Sequence, residues 1–345
     1  MNQATMNGPI FVTGATGYIA KYIVLKLLNR GYHVRGSARS LGRAQEIRDA
    51  VAPHLTDPSA LDRLDIVALD LSKDDGWHAA MEGCAALLHT ASPFPITQPK
   101  NPEETIRPAV DGTLRALNAA KAAGIKRVVL TSSTVAVSYG SEATTQRKAT
   151  EEDWTDTEAP NLTPYAKSKT LAERAAWDFA ETNGLDLTAI NPSFVIGPPL
   201  DANYGTSIEV IERILAAKDP MVPQIGFATV DVEDIAEIHI RALETDATIG
   251  LRVIGACERF MWFQDMAHAI KVAFPERRSV TRLAPAMIVR LLALFDPAIR
   301  GVLPDLGRKR EADGSRAREL LGIEYRDTKE SVVDAARFLI DRGLA

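Results

Sequence analysis

The sequence predicts an α/β chain: a doubly wound parallel sheet joined to a smaller, mostly helical unit. Three observations carry this expectation. A glycine-rich turn, Thr13-Gly14-Ala15-Thr16-Gly17, directly follows a short apolar run and directly precedes a helical pattern. Apolar strand-like runs then alternate with helical stretches up to about residue 190, as repeated strand–helix units do. The alternation stops at Gly197-Pro198-Pro199.

The first strand is Pro9-Ile10-Phe11-Val12, apolar throughout as a buried parallel strand is. From Tyr18 onward Ile19, Ile23, Leu27 and Leu28 recur on one side of a helix. The glycines therefore sit at a strand-to-helix turn, where free N–H groups and the positive end of the helix dipole hold a pyrophosphate. Gly14 permits the tight turn, Gly17 permits close backbone approach, and Ala20 is small enough for helix–strand packing. Thr16, Tyr18 and Ile19 complete the candidate phosphate cradle of a Rossmann-type unit. The spacing is Gly-x-x-Gly-x-x-Ala rather than Gly-x-Gly-x-x-Gly.

The second strand, Tyr32 to Arg39, ends without the Asp or Glu that bonds the ribose hydroxyls of NAD. It offers Ser37 and Arg39 instead, with Arg43 shortly after. A guanidinium matches a phosphate with a planar, permanently charged fork, so NADP(H) is expected, with Arg39 on the 2′-phosphate and Arg43 as a weaker candidate. Leu64 to Leu71 reads as a third strand. Asp70 and Leu71 end it, and Asp70 either meets the adenine amino group or caps the following helix. A fourth strand runs from Ala85 into Thr90, Ala91 and Ser92, whose small side chains let the backbone pass near the ribose and phosphates. His89 within it reads as a packed core residue.

Arg127 to Thr134 is a fifth strand ending in hydroxyls. Ligands bind beyond the carboxyl ends of such strands, although a Ser/Thr cluster alone is better explained as a strand terminator. Thr163-Pro164 then opens a helix, with Thr as N-cap and Pro in the first turn. Tyr165 and Lys169 are four residues apart and share its face. A neighbouring ammonium favours the phenolate, so Tyr165 reads as a group able to exchange a proton near neutrality.

On these motifs the chain resembles the extended short-chain dehydrogenases/reductases, and within them the dihydroflavonol-reductase-like group. It is most similar there to fungal and bacterial NADPH-dependent aldehyde and ketone reductases of the methylglyoxal/isovaleraldehyde type. Gly36-Ser37-Ala38-Arg39-Ser40, Ala175-Ala176-Trp177, Asn191 to Pro198 and Asp231 to Ala236 carry the likeness beside the turn and the Tyr-x-x-x-Lys pair. The resemblance implies a triad of Ser133, Tyr165 and Lys169. Tyr165 then gives the proton, Ser133 orients the carbonyl oxygen, and Lys169 lowers the Tyr pKa and bonds the nicotinamide ribose, with Pro192 and Val195 near the nicotinamide amide. Flavonoid reductases have Asn five residues beyond the catalytic Ser, where this chain has Ser138. Cinnamoyl-CoA reductases have an aromatic-rich segment where this chain has Asn161-Leu162-Thr163-Pro164. Sugar-nucleotide dehydratases have acids where it has Thr134-Val135.

Phe94, Val135, Phe194, Tyr204 and Ile225, with Thr134 as a polar contributor, are candidates for the substrate pocket. Singly, each is better explained as core. Together they suggest an apolar pocket for an uncharged, hydrophobic aldehyde or ketone. A nucleotide-sugar epimerase or dehydratase and a non-enzymatic NADP(H) sensor are the competing readings.

At 345 residues and net charge −5 the chain can bury a large core and has no electrostatic reason to hold nucleic acid or an anionic membrane. Cys84 and Cys257 provide no disulfide framework, and no metal is expected. Residues 284–303 are apolar but interrupted by Arg290, Asp296 and Arg300. They read as helix and loop covering a pocket, with an interfacial helix as the alternative. A cytoplasmic monomer or homodimer is expected. The NADP-binding unit is assigned to 1–190 plus about 227–256, and the substrate-binding unit to about 191–226 plus 257–345. The Glu151-Glu152-Asp153 run reads as a solvated loop, and Asp231 as a helix cap.

Overall fold

The computed structural model describes residues 7–92, 101–140, 143–160 and 162–345. Its strands are β1 (Ile10–Thr13), β2 (Val34–Ala38), β3 (Leu64–Ala68), β4 (Ala86–His89), β5 (Arg127–Thr131), β6 (Asp186–Pro192), β7 (Phe194–Ile196), β8 (Gly226–Asp231), β9 (Arg252–Gly255) and β10 (Phe260–Trp262). The helices are α1 (Tyr18–Asn29), α2 (Ala44–Val51), α3 (Trp77–Met81), α4 (Glu103–Ala122), α5 (Ala143–Gln146), α6 (Pro164–Asn183), α7 (Thr206–Leu215), α8 (Val232–Glu244), α9 (Phe263–Ala273), α10 (Ala286–Leu292), α11 (Pro297–Val302), α12 (Ser315–Leu321) and α13 (Thr328–Asp341). None of the described helices is long and apolar enough to cross a membrane.

Seven strands form one sheet in the order β3-β2-β1-β4-β5-β6-β9, all parallel. The order reverses between β1 and β4, which opens the crevice where such sheets bind ligands. Side chains alternate along each strand, so Ile10, Val12, Leu88 and Val129 enter a core shared with α1, α2 and α8. Phe11, Leu87, Val128 and Leu130 enter a second core under α4 and α6. With both faces covered, the central strands β1 and β4 are buried throughout, which is why they read as near-continuous apolar runs, whereas the edge strand β3 exposes Asp65 and Ala68.

A separate three-stranded sheet, β10-β8-β7, builds the smaller unit with α7, α9 and α13. Two features of the assigned boundaries are corrected here. The stretch from Phe227 was expected to rejoin the large sheet. Its helix α8 does pack there, but β8 pairs with β7 and β10 instead. Residues 315–323 were expected in the substrate unit, yet Ala317, Leu321 and Ile323 are buried in the large-sheet core beside α8. Hydrophobicity alone does not say which of two adjacent cores an element joins.

Within the acidic run at 151–153, Glu152 is exposed as a solvated loop residue is, and the third correction concerns Glu151. Glu151 is buried and accepts the Ile254 N–H at 3.1 Å, while Asp153 holds Arg147 and the Thr150 N–H. Asp231 caps α8 by accepting the Glu233 N–H at 2.7 Å.

Candidate active site

The glycine turn lies at the carboxyl end of β1, beside the switch point. Gly14 has φ +63°, and a Cβ there would lie 3.0 Å from the Cα of Ala91. The turn and the 90–92 segment are in contact because Thr13 Oγ1 accepts both the Thr90 and Ala91 N–H groups at 3.0 Å. Gly17 is the N-cap of α1 and supplies no side chain to its open N–H groups. That arrangement leaves the helix start available to an anion. Gly14→Ala is expected to cost at least about 1–2 kcal/mol from the left-handed backbone alone and to weaken dinucleotide binding. A thermal melt and a binding titration check this, and wild-type values in both would refute it. The Thr16 carbonyl accepts Asn203 Nδ2 at 3.0 Å, so the loop after β7 closes on the turn. Tyr18 points its hydroxyl to the Gly197 carbonyl at 2.7 Å, which leaves its backbone rather than its phenol for a ligand. Ile19 follows it in the first turn of α1.

Arg39 and Arg43 separate in this structure. Arg43 forks onto Glu46 at 2.8 and 2.9 Å. Arg39 is exposed and has no ion pair among the described residues. Its charge acts on Asp70 from across the strand ends. The Asp70 carboxyl, half-buried beside Leu71, accepts the Ser72 N–H at 2.8 Å and its hydroxyl at 2.7 Å, which holds it below the ordinary Asp range. It therefore caps a turn, whereas α3 has Gly76 as its N-cap.

Thr163 caps α6 by accepting the Ala166 N–H at 3.1 Å, with Pro164 in the first turn. This start brings Tyr165 and Lys169 to the end of β5. The Ser133 hydroxyl accepts the Val135 N–H at 3.3 Å and lies close enough to the Tyr165 phenol to lower its pKa, while the Ser132 hydroxyl goes to Glu173. Burial raises the Tyr165 pKa and Ser133 opposes that rise. Burial outweighs the expected depression, so the phenol sits above its ordinary value. Lys169 points its ammonium at the Thr131 carbonyl, 3.4 Å away.

Burial brings the Lys169 ammonium itself down to about 8, opposed by the nearby Glu173 charge. The charge is present below that value and lost as pH rises through it. If the ammonium serves catalysis, kcat/KM will fall on the alkaline side with an apparent pKa near 8. A profile that stays flat through that region would refute the role.

His89 is buried as expected. Thr13 Oγ1 already accepts two N–H groups, so its hydrogen goes to His89 Nδ1 at 2.9 Å. Burial, and then the Lys169 charge, push the imidazole down to about 3.

Beyond β6, Pro192 and Val195 flank Ser193, whose buried hydroxyl has no hydrogen-bond partner among the described residues. The resemblance placed the segment 192–195 near the nicotinamide amide without singling out Ser193. Its signal was its place at a carboxyl strand end, between the two residues chosen. Sequence reasoning missed a buried link from the small unit. Tyr139 donates to Asp305 at 2.9 Å under the Arg310 guanidinium, 4.4 Å from its ring, and is close enough to Tyr165 to feel its charge.

Among the substrate candidates, Thr134 and Val135 are half-buried in the turn directly after Ser133. Phe194 stacks on Phe227 with centroids 5.0 Å apart, and Phe263 lies against both. Tyr204 is half-buried and donates to Glu212 at 3.1 Å. Ile225 is fully buried in the small unit's core and is corrected from pocket to core. Phe94 lies outside the described residues. Ser138 is buried and donates to the Thr134 carbonyl at 3.0 Å, so its hydroxyl is turned to its own backbone.

A family model described as the NAD dependent epimerase/dehydratase family matches residues 10–254. The chain belongs to that family. It is 35% identical to a cinnamoyl-CoA reductase of Medicago truncatula over 280 residues, covering 80% of this chain and 83% of that one. It is 33% identical to a putative NADPH-dependent methylglyoxal reductase of Candida albicans over 351 residues, covering 96% and 98%. Its fold matches the crystal structure of yeast methylglyoxal/isovaleraldehyde reductase complexed with NADPH, with a TM-score of 0.79 at 29% identity, covering 98% of this chain and all of that one.

Proposed function

We propose that this family member is an NADPH-dependent reductase of uncharged, hydrophobic aldehydes or ketones, with Ser133, Tyr165 and Lys169 as its catalytic residues. The observation that carries the reading is the convergence of Ser133, the Tyr165 phenol beside it and the Lys169 ammonium at the carboxyl edge of the sheet that also bears the glycine turn. The relatives named as NADPH-dependent reductases support it.

The residues present fit a dinucleotide. Gly17 leaves the start of α1 open, and no Cβ could be added at Gly14 without meeting Ala91. The backbone from Gly14 to Ile19 would hold the pyrophosphate. Arg39 would take the 2′-phosphate, with Asp70 and Leu71 beside the adenine. Thr90 to Ser92 would pass along the ribose and phosphates, and Pro192 to Val195 would face the carboxamide, where the orphan Ser193 hydroxyl would find a partner. NADPH, when bound, supplies the hydride that reduces the carbonyl carbon.

This chain's residues manage the proton. Ser133 donates to the carbonyl oxygen and orients it. Tyr165, kept neutral near pH 7 by burial, gives its phenolic proton to that oxygen as charge develops there. Lys169 then offers a positive charge to the phenolate left behind. The Phe194–Phe227–Phe263 group supports an apolar substrate, and the turned-in Ser138 leaves no polar grip like that of the flavonoid enzymes.

The test is NADPH oxidation against a panel that includes isovaleraldehyde, methylglyoxal and bulkier hydrophobic ketones. Turnover rising with apolar size is expected. Dinucleotide binding without turnover of any member would favour a sensor, and NAD retained through purification would favour an epimerase.

A further inference from the structure

Glu173 lies on α6 four residues beyond Lys169 and eight beyond Tyr165, so the three share a face. Its side chain is fully buried. Four groups fill its carboxylate. Oε1 accepts Arg252 Nε at 2.6 Å and Trp177 Nε1 at 3.3 Å. Oε2 accepts the Ser132 hydroxyl at 2.5 Å and Asn191 Nδ2 at 2.8 Å. Asn191 Nδ2 also lies 3.2 Å from the Ser133 carbonyl. Arg252 continues outward to the carbonyls of Glu151 and Asp153, with its guanidinium 3.9 Å from the Trp154 ring. One carboxylate thus joins α6 to the end of β5, to β6 and to β9.

We propose that Glu173 is a positioning residue for proton transfer: through Ser132 and Asn191 it fixes the Ser133 strand end against the helix bearing Tyr165 and Lys169. The inference rests on the assignment of Ser133, Tyr165 and Lys169 made above. The titratable groups around Lys169 are Glu173 and Tyr165 on its own helix, His89 on β4, and His239 on α8 behind Thr131. Burial holds both histidines neutral, at about 3 and about 4. Glu173 is therefore the carboxylate acting on the ammonium.

A purely structural role would be to balance Arg252, and a paired removal separates the two. Replacing both members of a buried ion pair with neutral groups is tolerated where removing one is not. Glu173→Gln and the double variant Glu173→Gln/Arg252→Met would be compared with wild type and Tyr165→Phe. Melting temperature, NADPH affinity by fluorescence titration and the pH profile of isovaleraldehyde reduction would be measured.

Glu173→Gln is expected to melt lower, and the double variant to recover that loss. Both should bind NADPH within about threefold of wild type, lose about tenfold or more in kcat, and show the alkaline limb moved about one pH unit lower, a tenfold change in the Lys169 proton equilibrium. Should Glu173→Gln fail to fold, the double variant carries the test. A double variant with wild-type kcat and an unmoved limb overturns the inference and reduces Glu173 to a counter-ion for Arg252. If Tyr165→Phe keeps wild-type turnover, the proton-transfer assignment itself fails. If Tyr165→Phe is inactive while the double variant is normal, only the role of Glu173 fails.

Discussion

Tyr165→Phe will cut turnover by about a thousandfold, within the range that a positioned acid or base contributes, and will leave NADPH affinity within about threefold. The substitution removes one oxygen and keeps the ring, so packing at the start of α6 is retained. The phenol is buried against Ser133, and burial keeps its proton on near neutrality. That is the state a reduction needs, because the developing alkoxide must be met by a donor. The loss should appear in kcat more than in KM, as it does when an interaction forms only in the transition state. A variant with wild-type kcat would mean that the proton comes from elsewhere, and the catalytic assignment would be abandoned.

Arg39→Ala will weaken NADPH binding by about 10- to 100-fold, the equivalent of a charge-assisted hydrogen-bond pair, and will change NADH binding by less than about threefold. β2 ends without a carboxylate, and Arg39 stands exposed there with no ion pair among the described residues. Arg43 is the control. Its guanidinium is forked onto Glu46, which also lies 3.3 Å from Lys21 and accepts Asn203. Arg43→Ala should therefore act mainly by loosening the loop at 201–203. An unchanged NADPH-to-NADH ratio in Arg39→Ala, measured by titration with both dinucleotides, would make Arg39 a solvated charge.

The parts legible in the sequence are those whose signals are local. The Gly14–Gly17 turn, the Thr163-Pro164 helix start and the Tyr165–Lys169 spacing each lie within a few residues. The central strands β1 and β4 are buried along their whole length, so each announces itself as an apolar run. The parts that were not legible depend on partners far along the chain. Nothing within a few residues of Glu173 marks it, because its partner Arg252 arrives from β9. Glu151 reads as solvated until the Ile254 N–H is placed beside it. Ile225 has the chemistry of a pocket wall and lies in a core. The Tyr165 pKa was misread because the neighbouring ammonium was counted and burial was not.

The way the chain weaves between its two sheets limits how its specificity can be transplanted. A graft taken as one block from residue 257 onward would carry Ala317, Leu321 and Ile323 away from the large-sheet core they complete. A graft ending at Gly226 would split β8 from its neighbours β7 and β10. A chimera with a relative that leaves α8, β9 and α12 with the host must still repack Val195, Leu200 and Val230, which lie in the large-sheet core although Val195 is on β7 and Val230 on β8 of the smaller sheet. Sequence drift that retunes the pocket faces the same constraint, since a change on one stretch must remain compatible with host segments threaded between the others.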